Sequence, residues 1–270
     1  MAYISSRASG DRGLEMDAAR MHPSKERSIR GRDGRVVMIP MHGIMATRRL
    51  PGESTGPGVP TEAVGRLIDA AAADTTVKTI ILQMDSPGGT VEGTVELADK
   101  VRAARDIKPV IAQVDSLAAS AAYWVASQAT EIVATPSGAV GSIGVVAQHK
   151  DVSAALEAEG IKVTVLSAGK YKAEGNPYGP MDEDALGYAQ SQIDAAYADF
   201  VGYVAQGRGV DTKTVEQSYG QGRVLLAKQA LAAGMIDRIG TTEETISRFV
   251  ASSRPSIQRR ARAAQAKARI

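Results

Sequence analysis

A serine lies among small residues at a point where the sequence changes from strand to helix character. Ser120 has two alanines on each side, and it follows an apolar run at residues 109–114. Small neighbours leave room for a substrate backbone, and the positive end of the following helix favours negative charge in its first turn. Ser120 is therefore a candidate nucleophile. A serine that merely packs inside an alanine-rich helix is the alternative.

A glycine-rich turn, Asp85-Ser86-Pro87-Gly88-Gly89, directly follows the buried strand predicted at residues 77–84. Two adjacent glycines at the carboxyl end of a parallel strand let backbone N–H groups face a ligand without an intervening Cβ. Such donors stabilise a developing oxyanion. The turn is either a candidate oxyanion hole or a β–α turn without a ligand.

Two lysines, Lys170 and Lys172, follow a strand predicted at residues 162–166. A lysine acts as a general base only if its pKa falls from about 10.4 towards 7–8. Burial away from acids lowers a lysine pKa in this way, and no acid adjoins Lys172 before Glu174. Lys172 is thus a candidate base, with a solvated surface lysine as the alternative.

Strand and helix patterns alternate along the chain, and the strands are almost continuously apolar. This alternation predicts an α/β fold in which helices cover a mostly parallel sheet. Strands are predicted at 35–40, 77–84, 109–114, 131–134, 143–147 and 162–166, and helices at 61–73, 90–104, 117–127, 152–159, 182–206, 212–216, 227–233 and 242–252.

The chain has 270 residues, enough for one large domain with short tails. We predict a flexible arm at 1–34, the main domain at 35–252 and a basic tail at 253–270. The tail has six basic residues and no acidic one, so the rest of the chain is net negative. We therefore expect no nucleic-acid partner, except through the tail.

No cysteine is present, which excludes disulfides, thiol nucleophiles and Cys-ligated metals. We expect no metal and no cofactor. No apolar run approaches the roughly 18 residues that span a bilayer, and the first residues contain no apolar signal core. We therefore expect no membrane partner and a cytoplasmic location.

Four motifs, in this order, resemble the signal peptide peptidase A family of Ser–Lys serine peptidases. The resemblance spans residues 36–240 and implies a ClpP/crotonase-like fold with a sheet built from repeated β-β-α units. Alanines replace the two glycines that this family usually has after the nucleophile, which would narrow the pocket. The motifs are Ser86-Pro87-Gly88-Gly89, the segment around Ser120, Gly141-Ser142-Ile143-Gly144-Val145 with the later Lys172, and Gly222-Arg223-Val224 with residues 227–237.

The resemblance implies a role for each matching residue. Ser120 would attack the peptide carbonyl and form an acyl-enzyme, and Lys172 would be the general base, with Lys170 as its rival. The Ala121 N–H would form the oxyanion hole with that of Gly88 or, alternatively, Gly89. Ser142 would orient Lys172.

The resemblance also implies a polypeptide substrate and a homo-oligomeric ring in which neighbouring subunits can share one active site. Relatives without a membrane anchor include capsid-maturation proteases of tailed phages. The protein could therefore be phage-encoded and act in the host cytoplasm or in a virion precursor.

Three other hypotheses remain. A Ser–His pair would use one of the histidines His22, His42 and His149, of which His149 follows Ser120 at a spacing similar to that in ClpP peptidases. A crotonase-like acyl-CoA enzyme would use the same paired N–H groups, although no pair of acidic residues accompanies the glycine turn. A non-catalytic assembly protein would keep only the fold.

Overall fold

The computed structural model describes residues 29–30, 35–48 and 58–252. These residues divide into two compact units: an insert unit, Val145–Asp199, and a sheet unit that contains the other described residues. The predicted tail lies outside the described residues, and so does the predicted arm except for Ile29–Arg30.

The sheet unit is built on a mostly parallel sheet, which confirms the predicted fold class. Strand order is β1-β2-β5-β6-β7-β10, and only β1 is antiparallel to its neighbour on this path. The strands among the described residues are β1 (Ile29–Arg30), β2 (Val36–His42), β3 (Ile44–Ala46), β4 (Gly58–Pro60), β5 (Thr79–Ser86), β6 (Val110–Ala119), β7 (Glu131–Ala134), β8 (Ala139–Gly141), β9 (Val224–Leu226) and β10 (Arg238–Ile239).

Two short strands extend the sheet sideways next to the carboxyl end of β6. β8 pairs with β6 in parallel and with β9 in an antiparallel ladder. The strands β3 and β4 form a separate parallel pair, and Met45 of β3 bridges Gly89. The carboxyl end of the sheet is therefore where several segments that carry motifs meet.

The helices cover the sheet because each contributes apolar side chains at helical spacing. In α1, Val64, Ile68 and Ala71 recur at such spacing and are buried. Bounds of α1 and α8 agree with the prediction. The helices in the described part of the chain are α1 (Thr61–Ala73), α2 (Thr94–Arg105), α3 (Ala121–Ala126), α4 (Ser153–Ala158), α5 (Glu183–Arg208), α6 (Thr212–Ser218), α7 (Ala227–Ala232) and α8 (Thr242–Ser252).

The helix predicted at 117–127 is wrong in its first third. Strand β6 continues through Ala119 because Leu117, Ala118 and Ala119 pair with β8, and this pairing outweighs the helix propensity of alanine. Helix α3 begins only after Ser120, so the serine lies at the junction and not inside the helix.

The insert unit contains α4 and the first part of α5. Its segments are joined by His149 Nε2 with Asn176 O at 2.9 Å and by a hydrogen bond from Val152 N–H to Pro177 O at 2.8 Å. The strands predicted at 143–147 and 162–166 are not formed. Residues 161–172 are all exposed, and no described strand pairs with them, so their strand-like pattern lacks the partner that a strand requires.

A partly buried ion pair holds the last turn of α5, which belongs to the sheet unit. Arg208 is 9% exposed and contacts Asp237 through two hydrogen bonds of 2.7 and 3.0 Å. Asp237 also accepts a hydrogen bond from Ile132 N–H at 2.7 Å. Burial alone would raise the pKa of Asp237, but the hydrogen bonds from Arg208 and Ile132 and the Arg208 charge hold that pKa below its usual value.

We predict that Asp237→Asn lowers the free energy of unfolding at pH 7 by about 2 kcal/mol. This is less than for a fully buried pair, because Asp237 is 37% exposed. Since the folded-state pKa is depressed, the ion pair stabilises fully above the unfolded pKa of about 3.9, and this contribution is lost as pH falls through the folded value. Chemical denaturation at several pH values should show the variant and wild type converging below about pH 4.

Asp69→Asn is the matched control, because Asp69 pairs with Lys100 at an exposed position. It should change the unfolding free energy by less than about 0.5 kcal/mol. Equal changes in the unfolding free energy for the two substitutions at pH 7 would contradict a larger contribution from the Arg208–Asp237 pair than from an exposed pair.

Candidate active site

The backbone at Ser120 is held in a left-handed conformation. Its φ is 52° and its ψ is −128°, values that non-glycine residues rarely adopt. Such a conformation costs about 1–3 kcal/mol and persists only where the surroundings impose it. A strained turn from strand to helix is also how nucleophile elbows present a serine hydroxyl at the edge of a sheet.

Two backbone hydrogen bonds hold the turn. Ser120 N–H donates to Gly141 O at 2.8 Å, and Ser120 O accepts from Trp124 N–H at 3.0 Å. The Ser120 side chain forms no capping hydrogen bond with the helix. Its hydroxyl therefore does not cap the N-terminus of α3, and the first N–H groups of the helix remain available to another acceptor.

Gly88 lies directly against this turn. A Cβ atom at Gly88 would lie 2.7 Å from both Ala119 O and Ser120 Cβ, and 2.9 Å from Ala121 N. Its φ of 101° also favours glycine. The structure thus brings Gly88, Ser120 and Ala121 together, three of the residues that the sequence singles out.

The N–H groups of these residues differ in their availability. Ala121 is the first residue of α3, so its N–H has no partner within the helix. Gly88 N–H donates to Ser86 Oγ at 3.2 Å. Met45 and Gly89 form a parallel β-bridge, in which Met45 N–H donates to Gly88 O and Thr90 N–H donates to Met45 O. The Gly89 N–H takes no part in this bridge and is directed away from Met45.

Ser86 is a residue whose role the sequence does not reveal. Its hydroxyl is buried, donates to Gly43 O at 2.6 Å and accepts from Gly88 N–H. It therefore fixes the glycine turn to the end of β2. Its place in the S-P-G-G motif was the only signal in the sequence.

Ser142 and Arg223 belong to two different motifs and meet in the structure. Ser142 has φ 54°, and its N–H donates to Arg223 O at 2.9 Å. A Cβ atom at Gly141 would lie 2.6 Å from the same Arg223 oxygen, so no side chain fits there. The motifs near 141 and 222 thus form one layer beside the Ser120 turn.

The candidate bases lie mostly in the insert unit. Lys170 Nζ donates to the Tyr171 hydroxyl at 2.7 Å, whereas Lys172 is exposed and its backbone N–H donates to Gly169 O at 3.1 Å. His149 bonds to Asn176 O. Ser120 and Ser142 belong to the sheet unit, so the pairing of Ser120 with Lys172 and the orienting role of Ser142 remain predictions.

His42 ends β2 beside Asp85 of β5, and its buried Nε2 has no hydrogen-bond partner among the described residues. Asp85 instead accepts from the Ser116 hydroxyl. His22 lies outside the described residues.

The two alanines that replace glycines, Ala121 and Ala122, are 4% and 0% exposed, so both side chains pack into the interior.

Comparison with known proteins identifies the family. Residues 102–253, more than half of the chain, match the sequence profile of peptidase family S49. The chain belongs to peptidase family S49. The match contains both Ser120 and Lys172, and it confirms the predicted family of serine-type peptidases.

Three relatives illustrate the range of the family. A protein of Methanocaldococcus jannaschii, provisionally named as a protease, is 36% identical over 183 residues, which are 68% of this chain and 58% of that protein. The capsid assembly protease C of Escherichia phage lambda is 30% identical over 225 residues, 83% of this chain and 51% of the protease. Protease 4 of Haemophilus influenzae is 28% identical over 200 residues, 74% of this chain and 32% of the protease.

The S49 chain thus spans about half the length of these relatives, or less. Within the part of the chain that the structure describes, every helix is too short or too polar to span a bilayer.

The strain at Ser120 leads to a testable prediction about stability. We expect Ser120→Gly to be more stable than Ser120→Ala by about 1 kcal/mol, because only glycine relieves the left-handed strain. The measurement is the unfolding free energy of both variants in urea. In the exposed interior of α5, Ser191→Gly should instead be less stable than Ser191→Ala by about 1 kcal/mol. The same order at both sites would contradict the strain.

Proposed function

We propose that this S49 protein is a serine endopeptidase in which Ser120 is the nucleophile and Lys172 the general base. The observation that carries the proposal is the left-handed turn at Ser120, packed against Gly88 and followed at once by the Ala121 N–H. A non-glycine residue held in strain, with an uncommitted helix N–H beside it, has the features of an acyl-transfer site.

In this mechanism Ser120 Oγ attacks the carbonyl carbon of the peptide bond while its proton passes to Lys172 Nζ. The tetrahedral intermediate collapses, the C–N bond breaks, and the leaving amine takes the proton from Lys172. Water then hydrolyses the acyl-enzyme by the same route in reverse. Ala121 N–H and an N–H of the glycine turn would bind the oxyanion, and the engagement of Gly88 N–H by Ser86 favours Gly89 as the second donor.

We further propose that the active protein is a homo-oligomer. Residues 161–166 alternate in the manner of a strand, yet Ile161, Val163 and Val165 are 40–49% exposed and Leu166 is 91% exposed. Exposed apolar segments of this kind mark interaction surfaces. Lys172 follows this segment and is exposed in the single chain, whereas a lysine gains general-base character on burial. A neighbouring copy that covers the segment would provide that burial.

The substrate class is an extended polypeptide. The relative from phage lambda, named as a capsid assembly protease, aligns over 83% of this chain. This supports a substrate associated with capsid maturation, and general peptide degradation is the alternative.

We predict that Ser120→Ala and Lys172→Ala each lower cleavage of an unfolded protein substrate by at least about a thousandfold, with the fold retained. Cleavage is followed by mass spectrometry, together with cleavage of the chain itself. Lys150→Ala, a change at another exposed lysine of the insert unit, is the matched control and should leave cleavage unchanged. Loss of activity in Lys170→Ala but not in Lys172→Ala would assign the base to Lys170. Equal cleavage by wild type and Ser120→Ala would exclude Ser120 as nucleophile.

A mixing experiment tests whether subunits share the site. If Ser120 of one copy uses Lys172 of another, an equimolar mixture of Ser120→Ala and Lys172→Ala, unfolded and refolded together, recovers up to about one quarter of wild-type activity by random assembly. We expect this recovery. No recovery from a mixture that assembles to the wild-type size would place both residues in one subunit.

A further inference from the structure

The phenol of Tyr123 lies three residues after Ser120 and faces the interior. Tyr123 is fully buried, and its hydroxyl donates to Met235 O at 2.8 Å. Burial raises the pKa of Tyr123, so the hydroxyl remains a neutral donor over the whole physiological range. A side chain in this position does not reach a substrate, but it fixes the rotation of α3.

The carbonyl that receives this bond is itself held firmly. Met235 lies between Gly234 and Asp237, and Arg208 binds both of these residues. Arg208 donates to Gly234 O at 3.0 and 3.2 Å and forms the ion pair with Asp237. Met235 N–H donates to Ala230 O at 2.8 Å. The acceptor of the Tyr123 hydroxyl is thus part of a fixed loop.

Helix α3 needs such an anchor. It has six residues, too few to be stable alone, and it begins at a strained residue. A second anchor is Trp124, whose ring stacks on Phe200 of α5 at 4.5 Å between centroids. Phe200 and Arg208 both belong to α5. The Trp124 stack and the Tyr123 hydrogen bond, through the loop that Arg208 holds, therefore both connect α3 to α5.

We propose that the Tyr123 hydroxyl, its acceptor Met235 O and the Arg208–Asp237 pair form a brace that positions Ser120 for attack. This inference rests on the proposed function, because it assigns Tyr123 as a positioning residue for that nucleophile. Without the hydroxyl, α3 loses its polar tie to the loop, and the strained turn relaxes away from the reactive geometry. Small displacements of a nucleophile reduce its reaction rate while they leave substrate binding nearly unchanged.

The test measures the reactivity of Ser120 directly. A fluorophosphonate probe is incubated with wild type and Tyr123→Phe, and intact mass gives the maximal labelling rate and the probe concentration at half that rate. We expect the maximal rate of Tyr123→Phe to fall about tenfold, with half-saturation changed by less than about twofold. A smaller fall than about threefold in a folded variant would overturn the brace.

Tyr219→Phe is the matched control. The Tyr219 hydroxyl is also buried and donates to Gly234 O at 3.2 Å in the same loop, but the residue lies outside α3. It undergoes the same chemical change and should label at the wild-type rate. An equal fall in both variants would overturn the proposal, since it would indicate general loosening of the loop. If Tyr123→Phe does not fold, Arg208→Lys tests the far end of the brace and should also slow labelling; a wild-type rate in this variant would overturn it.

The outcome for wild type separates this inference from the function on which it rests. Labelling of wild type at Ser120, and none of Ser120→Ala, establishes the nucleophile, and the comparison of tyrosine variants then decides the brace. Failure of wild type to label overturns the proposed function and the brace with it, and favours the non-catalytic assembly protein.

Discussion

The hydrogen bond from Ser120 N–H to Gly141 O is the interaction on which the rest of the candidate site depends. It joins the end of β6 to the end of β8 at the residue where the backbone turns left-handed. Because the strain at Ser120 must be imposed from outside, the residues around it have little freedom to vary. Gly88 and Gly141 each occupy places where a Cβ atom would lie within 2.7 Å of a neighbouring carbonyl oxygen. The close approach of backbones, more than any side chain, therefore defines this edge of the sheet.

The same constraint explains the alanine-rich sequence around the serine. Strand β6 ends in Ala118 and Ala119, which are 0% and 4% exposed between the neighbouring segments, and α3 opens with two buried alanines. Small side chains let β8 and the Gly88 turn approach the serine closely. Larger residues follow only from Tyr123 onwards, and they are buried as well. The small residues around Ser120 are therefore needed for close packing of the backbone segments as well as for access of a substrate.

Much of the fold could be predicted, because its signals are local. Helix α1 has buried residues at helical spacing, and β7 is a short apolar run bounded by polar residues. Other features depend on distant partners. The extension of β6 through Ala119 requires β8, and the role of Ser86 requires Gly43, so neither follows from its own sequence. Motif order indicated Gly88, Ser120 and Ala121 as one site, whereas the left-handed φ of Ser120 has no signature that distinguishes it from an ordinary helical serine.

The strand predicted at 162–166 is the most informative error. Ile161, Val163 and Val165 recur at every second position, which is the pattern of a strand with one covered face, yet all three are exposed. A segment of this composition keeps its apolar face in water only at a cost of about 25 cal/mol for each Å² left uncovered. The residues that the structure describes do not cover these side chains, whereas a second copy of the chain would. The disagreement between sequence and structure therefore supports the proposed assembly at the segment that precedes Lys172, and such an assembly would connect the proposed oligomer to the proposed role of Lys172.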